Sequence, residues 1–310
     1  MAAAPTTPEA IREVNVRYHD AAARSYDAKW GVDLGPVGQA QVLGKVRKAL
    51  GSRGGRDPIF DHSLEIGAGT GYFTLNLVQA GVVRRATASD ISPGMLDALE
   101  ASADRLGVGP VVETVAADAT ALPFADSSFD LVLGHAVLHH VPDLATAFAE
   151  FHRVLHPGGT LVFAGEPSRL GDRIAAYPKR AALRAAPAWR RALRLRPGHG
   201  FGEEHRGAEA DEALEAFVDV HSFTPEDLAG RARAAGFERV RVRGEELLAN
   251  WFGWTNRTLE ASARAEDIPW LWTQYAYRGY LALQRVDRLL LEPRMPPAFF
   301  YNLMVSARRP

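Results

Sequence analysis

A doubly wound α/β fold around a mostly parallel sheet is what this chain predicts, on three observations. Short apolar runs alternate with helical patterns from residue 63 to residue 164, a glycine-rich loop follows the first run, and acidic residues stand near the ends of later runs. Strands separated by helices of this length build βαβ units and hence a parallel sheet.

The apolar runs are 63–66, 85–89, 111–116, 131–133 and 161–164, and helical patterns lie between them at 72–79, 95–106 and 144–154. The last of these is closed by His156-Pro157-Gly158-Gly159, a helix stop. Upstream, apolar and aromatic residues recur near helical spacing over 11–30, leading through Tyr18 and Tyr26 into a glycine-containing loop at 31–38. A second helix is expected over 39–50, followed by a polar, glycine-rich break at 51–58.

Past Glu166 the rhythm changes. Residues 169–196 hold nine Lys or Arg against one Asp, a local charge of +8, and 203–219 then turn mostly acidic. The regular pattern resumes at Thr224-Pro225-Glu226-Asp227, a capped helix start, with a strand near 239–248. A second irregular stretch, 250–297, carries Trp251, Trp254, Trp270 and Trp272, and 299–306 reads as a last strand. The organisation expected is one domain over 1–310. A helical cover (1–50) precedes a ligand-binding core (60–166), and two insertions (167–222 and 250–297) form a lid that receives a second substrate.

Composition narrows the function classes. With 310 residues, 47% hydrophobic and 24% charged, the chain fills a core without staples. A formal net charge of -1 offers no global attraction to nucleic acid or anionic membrane, so either partner would need a local patch. The absence of cysteine excludes disulfides, thiolate metal sites and a cysteine nucleophile, and no metal is expected. The N-terminus lacks a secretory pattern and no segment reaches eighteen apolar residues, which places the chain in the cytoplasm without stable membrane insertion.

The stretch Leu64-Glu65-Ile66-Gly67-Ala68-Gly69-Thr70-Gly71 is a strand running into a glycine loop that opens a helix, an arrangement that lets a ligand approach backbone amides closely. Tyr72 stands where a dinucleotide fingerprint would want its third glycine, which argues against NAD. Asp90 ends the next apolar strand, where a carboxylate can accept both hydroxyls of a ribose. Asp118 is expected to end the third strand, a second acid of the kind an adenine amino group requires.

These residues resemble the class I S-adenosylmethionine-dependent methyltransferases, in particular their small-molecule branch. The resemblance runs from 64 to 166, with a weaker echo at 224–248. It is carried in order by LEIGAGTG at 64–71, ASDISPGML at 88–96, AADATALPFADSSFDLV at 116–132, LHHVPD at 138–143 and FHRVLHPGGTLVFA at 151–164. It implies a seven-stranded sheet with the last strand antiparallel and S-adenosyl-L-methionine across the carboxyl ends of the first strands. By motif, Glu65, Gly67, Ala68, Gly69 and Gly71 flank the methionyl part, Asp90 holds the ribose, and Ile91, Asp118 and Ala119 frame the adenine. His135 meets the methionyl end through its backbone. The stretch from Tyr18-His19-Asp20 through Tyr26-Asp27 looks like a segment that folds over the cofactor, with Tyr26 either touching it or serving as helix-face core.

The remaining features keep two readings each. His139, His140 and Glu166 are candidate bases for a hydroxyl acceptor, although the LHHVPD stretch also suits a structural role. The Arg-rich segment reads as a solvated helix face ahead of an anion or membrane site. The tryptophans are either core of a helical insertion or walls of an apolar pocket. Gly134-His135-Ala136-Val137 is unlike the Asn/Asp-Pro-Pro-aromatic motif of nucleic-acid amino-methylating enzymes, which leaves a small organic acceptor: a polyketide, sugar, quinone or lipid-like molecule, methylated at oxygen. An NAD(P)-linked oxidoreductase and a non-catalytic S-adenosylmethionine-binding protein are the competing readings.

Overall fold

The structure is a computed structural model and describes residues 7–23, 26–27, 31–51, 58–198 and 220–310. The glycine-rich break at 52–57 and the acidic stretch at 203–219 lie outside the described residues. Seven strands form one sheet: β1 (Phe60–Ile66), β2 (Val83–Asp90), β3 (Val112–Ala116), β4 (Phe129–His135), β5 (Leu155–Pro167), β6 (Glu238–Glu245) and β7 (Asn302–Arg308). Their order is β3-β2-β1-β4-β5-β7-β6. β1 to β5 pair in parallel, and β7 runs antiparallel to both β5 and β6, as the resemblance implies.

Among the described residues lie α1 (Pro8–Ala22), α2 (Pro36–Leu50), α3 (Tyr72–Gln79), α4 (Pro93–Arg105), α5 (Leu144–Val154), α6 (Arg169–Leu193), α7 (Pro225–Ala234), α8 (Leu248–Glu260) and α9 (Trp270–Val286). β4 and β5 carry continuous apolar runs, Leu131–Leu133 and Leu161–Ala164, because both faces of the sheet are covered there. On one face Val132, Leu161 and Phe163 pack with Phe148 and Phe151 of α5 and Leu228 of α7. On the other, Leu131, Leu133 and Val162 meet Val42 and Val46 of α2 and Phe73 and Leu77 of α3.

Several boundaries differ from the sequence expectation. α1 spans Pro8–Ala22, the remainder of the 11–30 stretch lying partly outside the described residues, and α2 starts three residues early because Pro36, lacking an N–H, suits a first helical position. His156–Gly159 does stop α5, yet it is already strand: Leu155 pairs with Phe129, and a register shift precedes Leu131 against Thr160. β3 stops at Ala116, so Asp118 does not end that strand and instead sits in a small turn bridged to Ala121. The last strand is shifted to 302–308.

A buried charge cluster ties the N-terminal cover to the far end of the sheet. Lys45 Nζ of α2 lies 2.6 Å from Glu245 and 3.4 Å from Glu246, and Lys48 Nζ lies 2.9 Å from Glu245 and 2.8 Å from Glu292. The Tyr280 hydroxyl and the Gln284 amide of α9 donate to Glu246. Burial alone would strip the charge from Lys45, but the two glutamates outweigh it and its pKa stays well above the ordinary lysine value. Burial likewise opposes the charge on Glu245, which Lys45 and Lys48 nonetheless hold down at about 2.

The insertions form a helical layer of α6, α8 and α9. α6 and α8 leave the sheet beyond the carboxyl ends of β5 and β6, the edge at which ligands bind in open α/β sheets. Trp189 packs on Trp272 with ring centroids 5.0 Å apart, Phe252 on Tyr275 at 5.4 Å, and Lys179 Nζ sits 3.8 Å over the Trp254 ring.

Cutting into the cluster and into a helix cap should have separable costs. Lys45→Met leaves buried carboxylates short of a cation and is expected to lower unfolding free energy by about 3 kcal/mol in a denaturant titration. Thr224→Ala removes the capping box of α7, in which Thr224 and Asp227 exchange hydrogen bonds, and should cost only about 1 kcal/mol in the same measurement.

Candidate cofactor and active site

β1 and β4 lie side by side, yet the helices that follow them pack on opposite faces of the sheet, α3 on one and α5 on the other. Their loops part at the carboxyl edge and leave a crevice there. It holds about 780 Å³ of empty space, part of it open to solvent. The walls come from the β1 loop (Gly67, Gly69), the ends of β2 (Asp90, Ile91) and β3 (Ala117, Asp118, Ala119), and the segment after β4 (His135, Ala136, Val137, His140, Val141, Pro142). Arg12, Asn15 and His19 of α1 cover it together with Tyr26.

Two glycines of the loop are required for different reasons. Gly67 has φ +63°, and a Cβ there would stand 2.3 Å from Val137 Cγ2, so the loop and the β4 segment can touch only without a side chain. Gly69 has φ +52° and nothing within 4 Å of such a Cβ, so its backbone faces open space. The Gly69 N–H donates to Asp90 Oδ2 at 2.8 Å, and the Ser92 N–H donates to Oδ1 at 2.9 Å. Burial pushes the Asp90 pKa up, against the pull of these hydrogen bonds and of His19.

Glu65, Ala68 and Gly71 do not line the cavity. The Glu65 carboxylate turns to the start of α3, where the Thr74 N–H and hydroxyl donate to Oε2 at 2.8 and 2.5 Å, and burial pushes its pKa up to about 8. Asp118 reaches the cavity but is already engaged: Arg12 Nε lies 2.5 Å from Oδ2, while the Thr120 N–H and hydroxyl donate to Oδ1. Tyr26 lines the cavity, and burial and then the nearby Asp90 raise its pKa to about 12.

α1 is fastened over the crevice at both ends. Asp20 Oδ1 accepts from the Ser92 hydroxyl at 2.5 Å and from the Gly94 N–H at 3.0 Å, and Arg12 pairs with Asp118 at the other end. Asn15 is buried between them, its Oδ1 without a hydrogen-bond partner. Arg12 and Asn15 escaped the sequence reading. Their signal was present, since Arg12, Asn15 and His19 fall on one helix face at i, i+3 and i+7.

The β4 segment is held by Glu166 of β5, which is fully buried. Its Oε1 accepts the N–H groups of Val137 and Leu138, each at 3.0 Å. Its Oε2 accepts the His139 N–H at 3.2 Å and lies 2.9 Å from His139 Nδ1. Neither Glu166 nor His139 lines the cavity, whereas His140 does, its ring centroid 3.9 Å from that of His139 and 5.6 Å from that of His19. His135 lines it too, stacked on Phe73 at 4.8 Å, and burial pushes its pKa down to about 3, so the ring is neutral under ordinary conditions. No residue of 167–198 or 250–297 lines the cavity. The expectation that aromatics of 250–297 face it is not met: Phe252, Trp254, Trp272 and Tyr275 make contacts within the helical layer, and Trp270 and Tyr277 are exposed.

Comparison with known proteins identifies the frame. The family described as "Methyltransferase domain" matches residues 64–163. Demethylmenaquinone methyltransferase of Mycolicibacterium vanbaalenii is 34% identical over 184 residues, spanning 59% of this chain and 71% of that protein. The chain belongs to the class I S-adenosylmethionine-dependent methyltransferases. This methyltransferase is also similar to malonyl-[acyl-carrier protein] O-methyltransferase of Methylococcus capsulatus, at 32% identity over 59% of this chain and 54% of that one. Among solved structures it shares its fold with phosphoethanolamine N-methyltransferase 2 of Haemonchus contortus in complex with S-adenosyl-L-methionine, at 17% identity and a TM-score of 0.58, covering 97% of this chain and 60% of that one. The [4+2]-cyclase SpnF shares it at 17% identity and a TM-score of 0.57 over 99% and 98% of the two chains.

Two measurements probe this methyltransferase's site. Asp90→Ala is expected to weaken binding of S-adenosylhomocysteine about 10- to 100-fold in calorimetry, the scale for losing a charged hydrogen-bond partner; an unchanged affinity would move the ribose elsewhere. Glu65, ordinarily near 4.5 when unfolded, sits at about 8 in the fold, so its protonated form stabilises the native state. That contribution is complete below pH ~4.5 and is lost as pH rises through about 8. Melting temperature should fall over that window, and Glu65→Gln should flatten this part of the fall.

Proposed function

We propose that the enzyme transfers a methyl group to an oxygen of a small organic acceptor, quinone-type or lipid-like. The observation that carries the donor half is the junction of the bare Gly69 backbone with the buried Asp90 carboxylate. It offers an open surface for a close-lying chain and an acceptor pair for a diol. The buried, unpartnered Asn15 Oδ1 and Thr70 Oγ1 leave polar capacity in the cover and in the loop for a bound polar group. Asp90 would hold the ribose, the Gly67–Gly71 loop the methionyl part, and Ile91 and Ala119 the two faces of the adenine, with Asp118 at its edge. The acceptor class is supported by the names of the relatives, which specify a demethylmenaquinone and a malonyl-acyl carrier protein, and the oxygen by the second alone, an O-methyltransferase.

Bound there, S-adenosylmethionine supplies a methyl group on a positively charged sulfur, an already activated leaving group. The chain then has three tasks: to hold the acceptor oxygen in line with the methyl, to exclude water, and to take the proton from that oxygen as the new bond forms. α1 and its two fastenings serve the exclusion of water. His140 is the proposed proton acceptor, supported by its place in the cavity wall. His139 and Glu166 are proposed as positioning residues, since Glu166 holds the backbone on which both histidines sit. The neutral His135 ring adds no charge beside the sulfonium. Among the described residues no helix is long and apolar enough to cross a membrane, and the cytoplasm is the proposed site of action.

The test is transfer of an isotopically labelled methyl to a panel of hydroquinones, acyl thioesters and hydroxylated polyketides, read by mass spectrometry. Calorimetry with NAD and with S-adenosylmethionine runs alongside. Binding of NAD without binding of the methyl donor would sink the reading. His140→Ala should lower turnover of an oxygen acceptor about a hundredfold while leaving S-adenosylhomocysteine affinity unchanged.

A further inference from the structure

The helical layer has an outer face that methyl transfer does not use. α6 buries its small side, Gly171, Ala175, Ala182 and Ala186, toward the molecule. Its opposite side carries Arg173, Tyr177, Arg180, Arg184 and Arg191, all exposed and spaced to fall in one row along the helix. Tyr177, within that row, is 71% exposed, and Leu183, between Arg180 and Arg184 in sequence but off the row, is 53% exposed. α9 is more unusual, because none of its 17 residues is buried and it opens with Trp270 and Leu271, 68% and 73% exposed. Trp272 packs on Trp189, which projects from the side of α6 opposite Arg191, so this exposed turn lies near the carboxyl end of α6.

An aromatic and aliphatic surface interleaved with guanidinium groups, on helices with a buried small-residue side, has the chemistry of an interfacial contact. Arg pairs with phosphate while Trp, Tyr and Leu enter the headgroup boundary. The whole chain carries a net charge of -1, so the positive row is a local feature and not part of a general field. A second copy docked on the same face would set two arginine rows against each other, which disfavours a symmetric dimer there. We propose that the outer face of α6 and the first turn of α9 form a peripheral docking surface for an anionic lipid bilayer. Because α6 and α8 spring from the carboxyl edge of the sheet, docking would hold that edge, and the cavity with it, close to the lipid. The surface is argued from its own residues and stands apart from the identity of the acceptor.

The test is sedimentation of the full chain with vesicles of phosphatidylcholine alone and of phosphatidylcholine mixed with phosphatidylglycerol, at low and high salt. Binding is expected to the mixed vesicles only, to weaken with salt, and to shift tryptophan emission to the blue. The double variants R180E/R184E and W270S/L271S should each lower the bound fraction about tenfold or more. Calorimetry with S-adenosylhomocysteine reports independently that the variants remain folded. A wild-type chain that stays in the supernatant, or binds both vesicle types equally, overturns the proposal. So does wild-type binding by both variants. Failure to bind S-adenosylhomocysteine would instead count against the donor site and leave the vesicle result standing.

Discussion

Glu166 has no exposed surface, and its carboxylate is spent on the segment that leaves the neighbouring strand: three backbone N–H groups and one imidazole nitrogen converge on its two oxygens. That segment turns sharply at Ala136, which has φ +53°, and could not keep its shape with those donors unpaired, since each buried orphan costs about 1–3 kcal/mol. One wall of the cavity hangs on this arrangement, because His140, Val141 and Pro142 all lie in or just beyond the clamped stretch. The opposite wall depends on it through contact, since Val137 fills the space that a side chain on Gly67 would need.

The cofactor crevice follows a similar economy. Its two carboxylates are both held in place, Asp90 by backbone N–H groups and Asp118 by Arg12 and Thr120. Asp90 is held from both sides by Gly69 and Ser92, and Ser92 in turn is held by Asp20 from the covering helix. Asp90 and the cover are therefore linked through one serine. Loosening of α1 would be felt at Asp90 without any change in the sheet.

Much of this was legible in the sequence. The glycine loop, Asp90 and the stretch after β4 stood out because close backbone approach and strand-end carboxylates impose residue types at fixed places. α3 and α5 were bounded correctly because their apolar periodicity starts and stops sharply. Asp118 was misplaced by two residues, since Ala116, Ala117 and Ala119 carry no pattern that separates strand from turn. Glu65 was placed beside the methionyl part by the resemblance alone, and only the tertiary structure shows its carboxylate meeting Thr74 at the start of α3.

Sequence alone determined the order of the elements, the parallel sheet and the strand ends at which a nucleoside-bearing donor would lie, because these rest on local periodicity and on short-range backbone geometry. Tertiary structure decided everything that pairs residues far apart along the chain. Arg12 meets Asp118, Lys45 meets Glu245, and Trp189 meets Trp272, which turns the aromatic insertion into a packed layer and away from the cavity. No periodicity encodes such meetings. They depend on where the helices settle on the sheet, and that is set by the summed burial of many side chains and by the need to neutralise every charge it encloses.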